Sequence, residues 1–162
     1  MIKEPGYRLN VGLIILNDNG KLLLCKRKDV NSWQFPQGGI DFNENPSKAA
    51  KRELFEEVGI KSTSVKLIKE MGEWVKYDIP KKSRRRNFLK KKMKGQKQKW
   101  FMYKLRENTS ISFENDPDKE FDDYKWVSYW YPLYSIVSFK KEVYRKVLNS
   151  LSSSFCNEFN HD

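Results

Sequence analysis

Between Gly38 and Ile60 the chain reads GGIDFNENPSKAAKRELFEEVGI, and the second half of that stretch constrains the molecule most. Asn45-Pro46 supplies an N-cap followed by a first-turn proline, and Gly59 is a natural helix stop, so a helix is expected from Pro46 to Val58. Ala49, Ala50, Leu54 and Val58 give that helix one apolar face. Glu53, Glu56 and Glu57 stand at i, i+3 and i+4, which puts three carboxylates on another face roughly 5–6 Å apart. Like charges at that spacing repel, and no lysine lies between them. A solvated acidic face is the ordinary outcome for such a cluster. The alternative is a hard divalent cation, because Mg²⁺ takes oxygen ligands, a few carboxylates and a substrate phosphate. Arg52 and Glu56 are also i, i+4 partners and are expected to form an orienting ion pair.

What is missing narrows the chemistry further. The only histidine is His161, the penultimate residue of the 162, which removes Ser-His-Asp and Cys-His schemes and histidine-ligated zinc. Acid–base work is left to carboxylates, lysines or tyrosines. Cys25 and Cys156 lie far apart and read as free thiols of a reducing compartment. The N-terminal MIKEPGYRLN has no apolar core of a signal peptide, and no apolar run is long enough to span a bilayer, so a cytoplasmic protein with no membrane contact is expected.

The length suits one domain, expected over 1–151, with the Ser-rich end at 152–162 as a flexible tail. Val11–Leu16 and Lys21–Arg27 read as strands joined by a hairpin turn at Asn17-Asp18-Asn19-Gly20. Further strands are expected at Ser64–Met71, Trp74–Ile79, Trp100–Leu105, Ile111–Phe113 and Tyr124–Val127. A closing helix is expected over Phe139–Leu151, with Val143, Val147, Leu148 and Leu151 as its core face. Strands interleaved with two main helices give an α/β or α+β sandwich.

Residues 80–99, PKKSRRRNFLKKKMKGQKQK, hold 11 lysines or arginines and no acid. The remaining 21 basic residues of the 32 balance the 21 acidic ones, so this inserted segment carries the whole formal charge of +11. A mobile loop that attracts polyanions is expected. Charge alone does not choose between RNA and a free polyphosphate.

The stretch opened above resembles the Nudix hydrolase signature at nine positions: Gly38, Glu44, Arg52, Glu53, Leu54, Glu56, Glu57, Gly59 and Ile60. The flanks, Gly6-Tyr7-Arg8, Trp33-Gln34-Phe35-Pro36-Gln37, Gly95-Gln96-Lys97-Gln98-Lys99-Trp100 and Trp126-Val127-Ser128-Tyr129-Trp130, are similar to those of one branch. That branch is the bacterial RNA pyrophosphohydrolases, also called dinucleoside polyphosphate hydrolases. The resemblance runs from Gly6 to about Leu151 and departs mainly in the lysine-rich segment before Gly95.

The resemblance implies an α/β/α sandwich around a mixed β-sheet, and an enzyme that cuts phosphoanhydride bonds. It implies metal binding by Glu53, Glu56, Glu57 and Glu120, with the Gly38 carbonyl as a further ligand and Arg52 in support. The metal would be Mg²⁺, with Mn²⁺ or another divalent cation as a substitute, and more than one ion. Glu57 and Glu120 are the candidates for general base. Arg8 with Lys97 or Lys99 would clamp phosphates, and Arg27, Val137, Phe139 and Lys140 would surround a base near the 5′ end. Trp33 and Phe35 read as packing residues. The expected substrate is the triphosphorylated or diphosphorylated 5′ end of single-stranded RNA, left as a 5′-monophosphate, which would begin mRNA decay. A dinucleoside polyphosphate is the alternative substrate, and a monomer the expected state. A non-catalytic RNA-binding module would have lost a signature glutamate, and none is lost.

Overall fold

The computed structural model describes residues 4–159. In chain order the strands are β1 (Tyr7–Leu16), β2 (Leu22–Arg27), β3 (Trp33–Gln34), β4 (Gln37–Gly39), β5 (Val65–Glu70), β6 (Val75–Asp78), β7 (Gly95–Leu105) and β8 (Phe121–Val127). The helices are α1 (Pro46–Val58), α2 (Arg86–Lys90), α3 (Pro132–Ser135) and α4 (Lys141–Phe159). β1 and β7 pair in parallel along their length, from Tyr7 opposite Gly95 to Leu16 opposite Lys104, and form the spine of the sheet. The other pairings are antiparallel: β2 and β4 on β1, β3 and β8 on β2, β5 and β6 on β7. The sheet is therefore mixed, as expected.

β1 shows no apolar–polar alternation because both of its faces are covered. Ile14, Leu16, Trp100 and Met102 meet Val143, Val147, Leu148 and Leu151 of α4 on one side. Val11, Leu13, Ile15 and Phe101 meet Ala49, Ala50, Leu54 and Val58 of α1 on the other. Asn17 fixes the β1–β2 turn, its side-chain oxygen accepting the backbone N–H of Asn19 and of Lys21 at 3.0 Å.

Four expectations need correction. The end of the chain is not a loose tail from residue 152: α4 continues to Phe159. Leu151, Phe155 and Phe159 extend the apolar stripe past the serines, with Phe155 stacked on Tyr129 at 4.4 Å and meeting Phe159 in a tilted contact at 5.1 Å. His161 and the rest of that expected tail lie outside the described residues. Phe139 and Lys140 precede α4 in a 3₁₀ turn over Ser138–Lys140. Ile111–Phe113 is no strand, since the Ser112 N–H is used on the Val58 carbonyl at the end of α1, at 3.0 Å. The basic segment is folded: a 3₁₀ turn at Lys81–Ser83 leads into α2, and its last five residues open β7. Residues 33–39, to which no element was assigned from the sequence, contribute the short strands β3 and β4.

Candidate active site

α1 begins and ends where its sequence signals place it. Asn45 accepts the Lys48 N–H at 2.8 Å, and Gly59 takes a left-handed φ of 72° that lets Gly59 and Ile60 satisfy the Phe55 and Leu54 carbonyls. With the helix so framed, Arg52 becomes the hub of the acidic cluster. Its guanidinium donates to both oxygens of Glu44 at 2.9 and 3.0 Å. It also donates to Glu53 at 2.8 Å, to Glu56 at 3.0 Å and to the Gly39 carbonyl at 2.8 Å. The expected Arg52–Glu56 pair is thus one arm of a larger fork. Glu44 is held below the usual carboxylate range by this contact.

Glu53 and Glu57 are buried. Burial pushes Glu53 up to about 7, against the opposing pull of Arg52. Glu57 is raised well above its ordinary value, first by burial and then by the charges of Glu120, Glu53 and Asp116. One Glu57 carboxylate oxygen, Oε2, is buried with no hydrogen-bond partner. Gly38 sits directly against this cluster: a β-carbon there would lie 2.0 Å from the Glu53 carboxyl carbon, so only glycine admits the glutamate.

Glu120 arrives from the other side on the loop before β8. Asp116 organises that loop, its carboxylate accepting the N–H groups of Asp118 and Glu120 at 2.9 and 3.0 Å. The Glu120 side chain pairs with Arg85 of the basic segment at 3.1 Å.

These groups line one cleft of about 630 Å³. Gly38, Glu53, Glu56, Glu57 and Glu120 form its acidic side. Arg8, Arg27, Arg85, Lys91 and Lys140 supply cations around it. Lys140 is a buried ammonium, pushed down to about 8 by burial while the Glu120 charge acts in the opposite sense. Phe139 and Tyr77 line the same cleft and stack at 6.3 Å with 25° between their planes.

Four expected residues do not line it: Arg52, which is tied up with the acids, and Lys97, Lys99 and Val137. Lys97 and Lys99 project from the opposite face of β7, where their ammonium groups flank the Trp74 ring at 5.9 and 5.8 Å. Lys99 also donates to the Gly72 carbonyl, at 3.1 Å. Strand alternation gives the cleft side to Gln96 and Gln98 instead, and Gln98 donates to Asn10 at 2.9 Å and to Gln37 at 3.1 Å. Val137 stands half-exposed just outside, two residues before Phe139. The sequence reading missed Asn10, Gln37, Gln96, Arg85 and Lys91. The amides could have been found from the alternation in GQKQKW once its register was known, whereas the place of α2 had no local signal.

The residues fit a hard divalent ion by their all-oxygen chemistry, by the partnerless Glu57 oxygen and by the space that Gly38 leaves. The carboxylates line one wall without converging: among the described residues no three acidic groups form a ready-made ion site. Arg52 draws Glu53 and Glu56 to itself, and Arg85 draws Glu120. Both cysteines are free thiols, Cys25 buried and Cys156 exposed on α4. Among the described residues no helix is long and apolar enough to cross a membrane.

Comparison with known proteins bears on the family and the fold. The NUDIX domain profile matches residues 6–147. An RNA pyrophosphohydrolase of Vibrio vulnificus (strain YJ016) is 46% identical over 154 residues, covering 94% of this chain and 89% of that protein. One from Marinomonas sp. (strain MWYL1) is 46% identical over 155 residues, covering 95% and 96%. Among solved structures, the E. coli dihydroneopterin triphosphate pyrophosphohydrolase superposes with a TM-score of 0.71 at 22% identity, covering 88% of this chain and 97% of its own. A C. elegans Ap4A hydrolase superposes at 0.66 and 20% identity, covering 90% and 98%, and like the E. coli structure it speaks for the fold alone. With its signature glutamates gathered on one cleft wall and the profile spanning most of its length, the chain belongs to the Nudix hydrolase family.

Proposed function

We propose that this enzyme is an RNA 5′ pyrophosphohydrolase, converting a triphosphorylated or diphosphorylated 5′ end to a 5′-monophosphate with release of pyrophosphate or phosphate. The observation that carries the reading is the composition of the cleft. Acids for a cation, guanidinium and ammonium groups for phosphates and a stacked aromatic pair for a base all border one volume. Relatives at 46% identity over nearly the whole chain, named RNA pyrophosphohydrolases, support it.

Hydrolases of this family generally require divalent cations. Glu53, Glu56, Glu57, Glu120 and the Gly38 carbonyl are the residues proposed to hold them, with Mg²⁺ as the first choice. Bound there, such ions neutralise phosphate charge and lower the pKa of a coordinated water. The chain's own groups do the rest. Arg52 holds Glu53 and Glu56 in fixed orientations through its fork. Glu57 or Glu120 accepts a proton from the attacking water; burial raises Glu57 above an ordinary carboxylate. Arg8 and Arg85 balance the polyphosphate, and Phe139 with Tyr77 offers a stacking face to a base. Lys140, buried beside that face, provides a fixed positive charge below about pH 8.

The test is competition in Mg²⁺ between 5′-triphosphorylated RNA and diadenosine tetra- or pentaphosphate, with Glu53→Gln as control. A higher kcat/KM on RNA that disappears in the control is the expected result. Preference for the dinucleotides would replace RNA by the alternative substrate class on the same site.

A further inference from the structure

The cleft accounts for the end of an RNA but not for the rest of it. A cleft of about 630 Å³ encloses a polyphosphate and a nucleotide or so, and the strand must then leave over some surface. Past Phe139 the chain leads to exposed aromatic rings. Val137, half-exposed, leads from the 3₁₀ turn that holds Phe139 and Lys140 back to α3. On α3 the Tyr134 ring is 85% exposed, and Tyr131 just before the helix is 39% exposed.

Trp33 directly precedes Gln34, which lines the cleft. Trp33 of β3 packs on the same core cluster as Phe139, so the two lie on one side of the sheet. Trp33 pairs in register with Lys26, whose neighbour Arg27 lines the cleft. Between Trp33 and Tyr131 lies Lys125, its ammonium 4.2 Å from the first ring centroid and 4.8 Å from the second, donating to the Tyr131 hydroxyl at 3.1 Å. A cation fixed between two aromatic faces presents charge for phosphate and flat surface for bases, the combination used for single strands without sequence choice.

We propose that the single-stranded body of the RNA leaves the cleft over Val137 and stacks along Tyr134, Tyr131 and Trp33, with Lys125 facing its phosphates. This rests on the RNA reading above. A free dinucleotide ends inside the cleft and has no use for the surface, so the surface is a determinant of preference for polymer.

The test compares two substrates with the same triphosphate end, a dinucleotide and an unstructured strand of about a dozen nucleotides, on wild type, Tyr134→Ala, Tyr131→Ala with Tyr134→Ala, and Tyr134→Phe. Tyr134 contributes little to the fold, so its variants keep the structure. For the long strand the double variant raises KM about tenfold with kcat unchanged, and Tyr134→Phe behaves as wild type. For the dinucleotide nothing changes. Equal effects on both lengths, or no effect on either, overturn the inference; the second result would leave the aromatic surface to a protein partner. Wild type that cleaves diadenosine tetraphosphate and neither RNA overturns the RNA reading itself, a result distinct from any behaviour of the variants.

Discussion

The acidic face of α1 and the basic segment at residues 80–99 are the two densest charge clusters of the chain, and they behave differently. In α1 every glutamate expected at the site lines the cleft. In the basic segment, of 11 cationic side chains, only Arg85 and Lys91 line it. The difference is one of geometry. Helical spacing of three and four residues makes the three glutamates neighbours whatever the rest of the fold does. A run of lysines through a turn, a one-turn helix and a strand has no such internal rule, and each side chain goes where its own element points it.

The largest effect tests the acidic side. Glu57→Gln keeps the shape of a buried side chain and removes its capacity to take a proton, so kcat is expected to fall about a thousandfold. Glu120→Gln, measured alongside in Mg²⁺ on triphosphorylated RNA, identifies the base as whichever variant loses more. A loss of less than tenfold for both would mean that a compact carboxylate cluster had been mistaken for the seat of proton transfer.

How much was legible follows from the same contrast. The boundaries of α1, its two faces and the antiparallel β1–β2 hairpin came from local signals: a cap, a stop, a turn and an apolar period. So did the mixed sandwich, once the signature resemblance was added. What escaped depended on pairing over long separations. Whether Lys97 or Gln96 faces the cleft is set by the register of β7 on β1 and β6, residues that are far apart in sequence. Arg85 meets Glu120 across 35 residues. The continuation of α4 was hidden by serines that occupy its outer positions while Phe155 and Phe159 keep the inner stripe.

A second measurement sharpens the electrostatic side of the comparison. Glu53 titrates near 7 in the folded protein because it is buried, against 4.5 for an ordinary glutamate. Between those values the folded chain keeps a proton that the unfolded chain has lost, so this group makes stability fall as pH rises through that window. Glutamine does not titrate. The melting temperature of Glu53→Gln relative to wild type, in chelator, is therefore expected to rise between about pH 5 and pH 7 and level off above, by up to about 3 kcal/mol in stability. A difference that does not vary with pH would mean that the Arg52 contact, and not burial, governs the charge of Glu53.

The smallest effect bears on the basic side, where it discriminates best. Arg85 is placed to meet phosphates, since it lines the cleft and already binds a carboxylate there. Arg85→Ala is expected to raise KM for triphosphorylated RNA about tenfold, the scale of one lost charge-assisted contact. Lys97→Ala and Lys99→Ala remove cations from the far side of β7, where Lys97 lies 3.9 Å from Glu4 and both sit beside Trp74. Their KM is expected to change less than about twofold at physiological ionic strength, since neither side chain lines the cleft and salt weakens what remains of their field there. If the lysine variants lose as much as Arg85→Ala, the substrate uses total charge and the side of the strand is irrelevant. If only Arg85→Ala loses, position within the basic segment decides, and a count of lysines overstates its hold on RNA.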